Sequence, residues 1–476
     1  MRPGFDLSGK RVLVVGLART GVSVSLFAAA YGATVTATDS KPESAMGETA
    51  ARLRAAGVNL ELGGHPPSIF FEQDLIVTSP GVPANLAPMV LAHVAGIPVW
   101  SEIELAWRYL RGKVVAITGS NGKTTTTSLV AHILETAGIP MLVGGNIGKP
   151  LISLVESSTD STVTVAEVSS FQLESIEAFR PEIGVLLNLT PDHLDRHASF
   201  ADYATAKMRL FENQLERDIA ILNADDPEVT KRMPAKSHVF WFSRQKRVAG
   251  GAFLAGDQIV FRHEGSETPI AQRSDIQLRG EHNVENVLAA CAAAYLAGAT
   301  PGAIANGVKT FRGVEHRLEF VGEIGGAQFY NDSKATNVDA ALKAIEAFPG
   351  PIVLIMGGKD KGSPYTPLAE SLRTRARAAV LIGESAEKIA RDLGDAVATV
   401  QAGTLERAVE IAAERAQPGD VVLLAPACSS FDQFENYEHR GRSFRQLVAQ
   451  LREEMHEGDR DQPESPSSAS APAHKG

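Results

Sequence analysis

Short runs of β-branched and other apolar residues alternate with longer Ala/Leu-rich stretches along most of the chain. Residues 11–15, 34–38, 74–78 and 97–100 read as the strands of a first unit. Residues 114–118 open a second series, continued at 163–168 and 185–188. A third series holds 352–356, 379–382 and 421–425. Near-continuous apolar runs separated by helical stretches predict parallel strands covered on both faces. Three such series predict an α/β protein of three domains, at 1–106, 107–312 and 313–455. Residues 241–278 alternate in character, with Gly and charge interspersed, and read as a small β excursion within the middle domain. From 456 to 476 the chain is rich in Pro, Ser, Ala and charge, too poor in apolar area to repay ordering, so a disordered tail is expected there.

Composition narrows the field. The 476 residues carry a formal net charge of −10, which argues against a general nucleic-acid binder with its basic face. Two cysteines, Cys291 and Cys428, make neither a disulfide framework nor a paired-cysteine metal site. The first residues, MRPGFDLSGKRVLVVG, run into a glycine turn rather than a cleavage site. No apolar run approaches the roughly 20 residues that a membrane helix needs. A cytoplasmic protein without membrane insertion is expected.

Candidate chemistry begins at VVAITGSNGKTTT, residues 114–126. A strand enters a Gly-rich turn, followed by Lys123, Thr124 and a helix. Backbone N–H groups of such a turn, with the helix N-terminus, cradle phosphate; the Lys reaches the terminal phosphates and the hydroxyl meets Mg²⁺. The loop is a shortened one, because Ile117 stands where the full pattern has its first glycine. A second glycine turn, VVGLARTG at 14–21, has Gly16, Ala18 and Gly21, with Asp39 ending the next strand. It approximates a dinucleotide fingerprint. Two readings stay open for it: a ligand-free βα turn, or a nucleotide-diphosphate site that need not hold NAD. Glu167 ends a buried-looking strand, where a charge is costly unless paired or bound to metal, and Mg²⁺ takes oxygen ligands. Asp192, His193, Asp195 and His197 cluster in LNLTPDHLDRH, and Lys207 follows on a helix.

Together these pieces resemble the Mur ligase family. The carrying motifs are VVGLARTG, SPG, ITGSNGKTT, GGNIG, EVSSFQLE, LNLTPDHLDRH, GEHNVENVLAA, GVEHRLE, NDSKATN, GGKDKG and PACSSFDQFENYEHRG, in family order over roughly residues 8–450. The resemblance implies a Rossmann-like N-terminal domain, a central P-loop ATPase-like domain and a C-terminal Rossmann-like domain. It implies an ATP- and Mg²⁺-dependent amide-bond ligase of peptidoglycan synthesis, with two metal ions. ATP phosphorylates a substrate carboxylate, an amine attacks the acyl phosphate, and phosphate leaves. The C-terminal motifs resemble those of members that join D-glutamate to UDP-N-acetylmuramoyl-L-alanine. The alternative is a related Mur ligase or a folylpolyglutamate synthetase adding a different amino acid; the DNPR-like arginine motif of the diaminopimelate- and lysine-adding relatives is absent.

Residue by residue, the resemblance implies phosphate contacts at Gly119, Ser120, Asn121, Gly122, Lys123, Thr124 and Thr125. It implies metal ligands at Thr124, Glu167, His193 and Lys207, the last as a carbamate. Asn146 resembles an asparagine beside the reacting carboxylate. Asn283 and Asn286 resemble adenine-side contacts, and Arg317 and Asp332 resemble ATP contacts from the C-terminal domain. Lys334, Thr336, Lys361, Ser430 and Tyr437 resemble the D-glutamate pocket, where each carboxylate needs cations and donors. Thr20, Asp39 and Ser79 resemble contacts to the uridine diphosphate sugar. A monomer is expected.

Overall fold

The apolar runs become strands of three sheets in the computed structural model, which describes residues 4–192, 196–234, 236–360, 362 and 364–460. The first sheet contains β1 (Arg11–Val15), β2 (Thr34–Asp39), β3 (Asn59–Leu62), β4 (Leu75–Thr78) and β5 (Val99–Ser101). All its pairings are parallel, in the order β3-β2-β1-β4-β5. The switch of strand order beside β1 puts VVGLARTG and the SPG turn at neighbouring strand C-termini, where open α/β sheets bind ligands.

The second sheet runs β6 (Lys113–Thr118), β7 (Met141–Gly145), β8 (Val163–Glu167), β9 (Ile183–Leu186), β10 (Ile219–Asn223), β11 (His238–Ser243), β12 (Gly251–Ala255), β13 (Gln258–His263) and β14 (Ser266–Gln272) along the chain. Its order is β14-β13-β12-β11-β10-β9-β6-β8-β7. The expected β excursion is real, and β12–β14 close one edge in antiparallel pairing. β6 lies between β8 and β9, so the phosphate loop, Glu167 and the chain after β9 share one end of the sheet. Val12, Val14, Val114 and Ala116 are wholly buried in one apolar cluster with Trp100, Ile103, Trp107, Leu151 and Phe179, so the first two sheets share a core through the helix Glu102–Tyr109.

The third sheet holds β15 (Glu319–Ile324), β16 (Ala327–Asn331), β17 (Ile352–Gly357), β18 (Ala376–Ile382), β19 (Thr399–Gly403) and β20 (Val421–Leu424), in the order β15-β16-β20-β17-β18-β19. Only the β15–β16 hairpin is antiparallel. The chain divides into two compact units, Met1–Phe311 with the first two sheets and Arg312–Gly476 with the third. The helix Tyr437–Arg460 extends a few residues into the segment expected to be a tail. None of the described helices is long and apolar enough to cross a membrane.

Candidate active site

β6 delivers Thr118 and Gly119 into a turn that only glycine fits at two places. Gly119 has φ +154°, and a Cβ there would lie 2.9 Å from Leu187 Cβ. Gly122 has φ +84°, and its Cβ would lie 2.1 Å from Asn286 Oδ1. The helix Lys123–Thr136 starts directly after Gly122, without a side-chain cap. Its first N–H groups and positive dipole end therefore face the loop, the arrangement that binds phosphate. The far side of the loop is fastened to the chain after β9. Ser120 N–H donates to Asn188 O at 3.0 Å, Asn121 N–H to Asn188 Oδ1 at 2.8 Å, and Ser120 Oγ to Thr190 O at 2.9 Å. Tyr203 OH donates to Ser120 Oγ at 2.9 Å; its phenol is pushed up to about 12, mainly by burial.

Two lysines converge on this loop. Lys123 Nζ donates to Gly119 O and Ser120 O, each at 2.8 Å. Lys207 Nζ donates to the same Gly119 O at 2.9 Å and lies 4.7 Å from the centre of the Tyr203 ring. Lys207 is 2% exposed. Burial drives its ammonium well below the usual lysine range; Lys123 adds to the fall, and Asp192 and Glu167 oppose it. The Lys123 ammonium beside the Gly119 carbonyl makes a field that favours anions.

Glu167 ends β8 and is 2% exposed. Its Oε1 accepts from Asn146 Nδ2 at 2.9 Å, while Oε2 is buried without a hydrogen-bond partner among the described residues. Asn146 N–H donates to Glu167 O at 2.8 Å. A buried carboxylate oxygen left over beside a phosphate-type loop fits a Mg²⁺ ligand, since that ion is held by one or two carboxylates plus phosphate oxygens. Thr124 and Thr125 are buried at the start of the adjoining helix. Asn286 stands against Gly122 and donates to Asn283 Oδ1 at 3.0 Å, and Asn283 donates to Arg279 O at 2.6 Å. His193 lies outside the described residues.

The sequence matches three family models: Mur ligase MurD-like, N-terminal domain, over residues 10–101; Mur ligase middle domain over 117–294; and Mur ligase, glutamate ligase domain over 316–428. It is 54% identical to the UDP-N-acetylmuramoylalanine--D-glutamate ligase of Acidobacterium capsulatum, covering 93% of this chain and 97% of that one. The chain belongs to the Mur ligase family. The ligase of the same name from Koribacter versatilis is 52% identical over 94% of this chain and 99% of its own. Among solved structures, the UDP-N-acetylmuramate-alanine ligase of Thermotoga maritima matches with a TM-score of 0.57 at 20% identity, covering 93% of this chain and 100% of that one. A pseudomurein peptide ligase type C from Methanothermus fervidus matches at 0.55 with 20% identity, again over 93% and 100%. These two likenesses establish the three-domain α/β fold.

In the N-terminal part of this Mur ligase, the glycine turn is braced rather than open. Gly16 has φ +88°, Ser79 Oγ donates to Gly16 O at 2.7 Å, and a Cβ on Gly21 would lie 1.8 Å from Gly16 O. Asp39 Oδ2 accepts from Leu17 N–H at 2.6 Å and Oδ1 from Lys41 N–H at 2.9 Å, so its carboxylate shapes the turn. Thr20 is half-buried at the start of the following helix. A pocket lined by Thr78, Ser79, Val82, Ser101, Phe171 and Glu174 adjoins the SPG turn. Arg196, unremarked in the sequence, donates to Pro80 O and Val82 O at 3.3 and 3.1 Å and covers the Phe171 ring.

In the second unit, loops at the C-termini of β16 and β20 come together. Arg440, 0% exposed, donates to Ser333 Oγ and Ser333 O at 3.0 Å each, to Cys428 O at 3.2 Å and to Ser429 O at 3.4 Å. This ties NDSKATN, with Lys334 and Thr336, to the loop carrying Ser430. Burial lowers the Arg440 guanidinium to about 10. Ser333 Oγ donates to Tyr437 O at 2.8 Å, bringing Tyr437 to the same place. Burial raises Asp332 to about 7, against the pull of Arg317, the Leu318 N–H and Lys334. Asp360 accepts from Lys388 Nζ at 2.8 Å and Tyr365 OH at 2.9 Å, and the Tyr365 oxygen lies 2.9 Å from Cys428 Sγ. Lys361 lies outside the described residues. Arg440 and Cys428 lie within PACSSFDQFENYEHRG and Asp360 within GGKDKG, and Tyr365 just after it had no sequence signal of its own.

Proposed function

We propose that this chain joins D-glutamate to UDP-N-acetylmuramoyl-L-alanine at the expense of ATP, giving ADP and phosphate, in the peptidoglycan synthesis on which cell shape and division depend. The observation that carries the reading is 54% identity over 93% of the chain to a relative named for that ligation. In this reading residues 1–106 hold the uridine diphosphate sugar through Thr20, Asp39 and Ser79. Residues 107–312 hold ATP, and 313–455 hold D-glutamate. The enzyme works as a cytoplasmic monomer.

The amides of residues 119–122 and the N-terminus of the helix Lys123–Thr136 bind the phosphates, and Lys123 holds the transferring group in line with the carboxylate acceptor. Asn283 and Asn286 lie on the adenine side, with Arg317 and Asp332 as further ATP contacts. Thr124, Glu167, His193 and Lys207 would hold two Mg²⁺ ions, whose charge would offset that of the phosphoryl oxygens. The depressed basicity of Lys207 supplies neutral amine, the form that adds to CO₂ with loss of a proton to give an anionic carbamate. Asn146 orients Glu167 and the reacting carboxylate. Lys334, Lys361, Thr336, Ser430 and Tyr437 fix the two carboxylates of D-glutamate. Its free amine attacks the acyl phosphate, and the tetrahedral intermediate expels phosphate. Lys123→Ala is expected to abolish ATP turnover while leaving the fold intact; near-normal phosphate release by that variant overturns the assignment.

A further inference from the structure

The helix Glu102–Tyr109, which joins the first two sheets, carries two buried carboxyl groups that its sequence, EIELAWRY, presents as ordinary helix-surface charges. Glu104 Oε2 accepts the N–H groups of Glu177, Ala178 and Phe179 at 2.9, 3.0 and 2.7 Å, and Oε1 accepts from Arg108 Nε at 2.7 Å. Glu104 is therefore fully committed to anchoring the helix. Glu102 is different. Its Oε1 accepts from Ile152 N–H at 2.7 Å, at the start of the 3₁₀ helix Leu151–Ser157, and its Oε2 is buried without a partner among the described residues. Burial pushes this carboxyl up to about 7, with the N–H groups of Ile152 and Leu151 acting against the rise. A buried acid that makes so little of its hydrogen-bonding capacity costs stability.

Ile152 stands only a few residues after the segment that aims Asn146 at Glu167. That segment is pinned at both ends and has little slack. Gly145 N–H donates to Lys149 O at 2.9 Å. A Cβ on Gly144 would lie 2.4 Å from Lys149 O, and one on Gly145 would lie 2.3 Å from Glu167 O. Arg19 donates to Gly148 O at 2.5 Å, adding a second tie to the N-terminal sheet. The tied segment 145–149 thus connects Leu151–Ile152 to the two hydrogen bonds between Asn146 and Glu167.

We infer that Glu102 is a positioning residue: by holding the Ile152 N–H it fixes the 145–149 segment and so sets the orientation of the Asn146–Glu167 pair. The inference deepens the proposed function, because it rests on Glu167 as a Mg²⁺ ligand for its catalytic consequence. Its structural content is independent of that role.

Hydrogen–deuterium exchange of the full chain reads it directly. Glu102→Ala is expected to speed exchange at Leu151–Ile152 and, by about tenfold, at Gly145 and Asn146, the loss of one hydrogen bond to a buried acceptor being of that size. Glu102→Gln keeps an acceptor oxygen and is expected to stay close to the parent. In phosphate-release assays the Ala variant is expected to need about tenfold more Mg²⁺ for half-maximal rate, with KM for the sugar-nucleotide substrate unchanged and the Gln variant again close to the parent. Faster exchange confined to 151–152 overturns the inference, as does a Gln variant as impaired as Ala. Should Glu102→Ala not fold, Glu102→Asp, shorter by one methylene, is read by the same criteria. Glu167→Gln serves as the reference: unshifted Mg²⁺ dependence there overturns the metal role of Glu167, whereas a shift there without one in the Glu102 variant overturns the inference alone.

Discussion

Replacing Gly122 with alanine tests the phosphate loop through its backbone rather than its charge. At φ +84° an L-residue pays about 1–2 kcal/mol for the left-handed conformation. The new Cβ would also sit 2.1 Å from Asn286 Oδ1, so Asn286 must move. Asn286 is buried and donates to Asn283 Oδ1 at 3.0 Å; breaking that bond costs about 1–3 kcal/mol. The combined cost, about 2–5 kcal/mol, falls on the loop and on the two asparagines assigned to the adenine side. Since each 1.4 kcal/mol is about tenfold in binding, KM for ATP should rise by at least about tenfold. Gly138→Ala is the matched control. It follows the C-terminal end of the same helix at φ +70° with nothing within 4 Å of a Cβ, so it carries the conformational cost without the collision. Phosphate release against ATP concentration, with thermal melting of both variants, separates the two effects. A folded Gly122→Ala enzyme with unchanged KM for ATP refutes the assignment of this loop.

Lys207→Ala should be nearly inactive, because the side chain is buried at the loop and nothing replaces the anionic group assigned to it; a short carboxylate such as acetate should restore part of the rate, and full activity without acetate removes Lys207 from the site. Glu102 also predicts a pH effect on stability. Its carboxyl titrates near 7 in the folded chain against a usual value of 4.5, so its contribution is present below about 4.5 and is lost as pH rises through 7, by about 3 kcal/mol across that window. Glu102→Gln should therefore gain stability relative to the parent as pH rises from 5 to 8, and a difference constant over that range contradicts the burial argument.

Much of the fold was legible because central parallel strands are continuous apolar runs: β1, β6, β17 and β20 lie within a residue of expectation. The edge strand β5 was also expected, at 97–100, but two other edge strands were not. β3 (NLEL) and β19 (TVQAG) are partly exposed and carry polar residues, which erases the run. β10 (IAILN) is a buried run that periodicity does not separate from a helix segment. The β15–β16 hairpin turns on Gly325–Gly326, where two glycines with positive φ are the whole signal. In the candidate site, the placement of the motif residues was legible because backbone geometry fixes it: Gly119, Gly122 and Lys123 in one loop, and Glu167 at the end of β8. The supporting residues escaped. Tyr203, Glu102, Arg196 and Arg440 act through partners far away in sequence, and a single buried ionisable residue on a helix looks the same as a surface one until the packing is known.

The most direct measurement is phosphate release from ATP with UDP-N-acetylmuramoyl-L-alanine as acceptor and a panel of amino acids including D-glutamate, L-glutamate, L-alanine, L-lysine and diaminopimelate. Release is expected with D-glutamate alone. Release with another amino acid in its place contradicts the pocket proposed around Lys334, Ser430 and Tyr437, and no release with any of them contradicts the ligase itself.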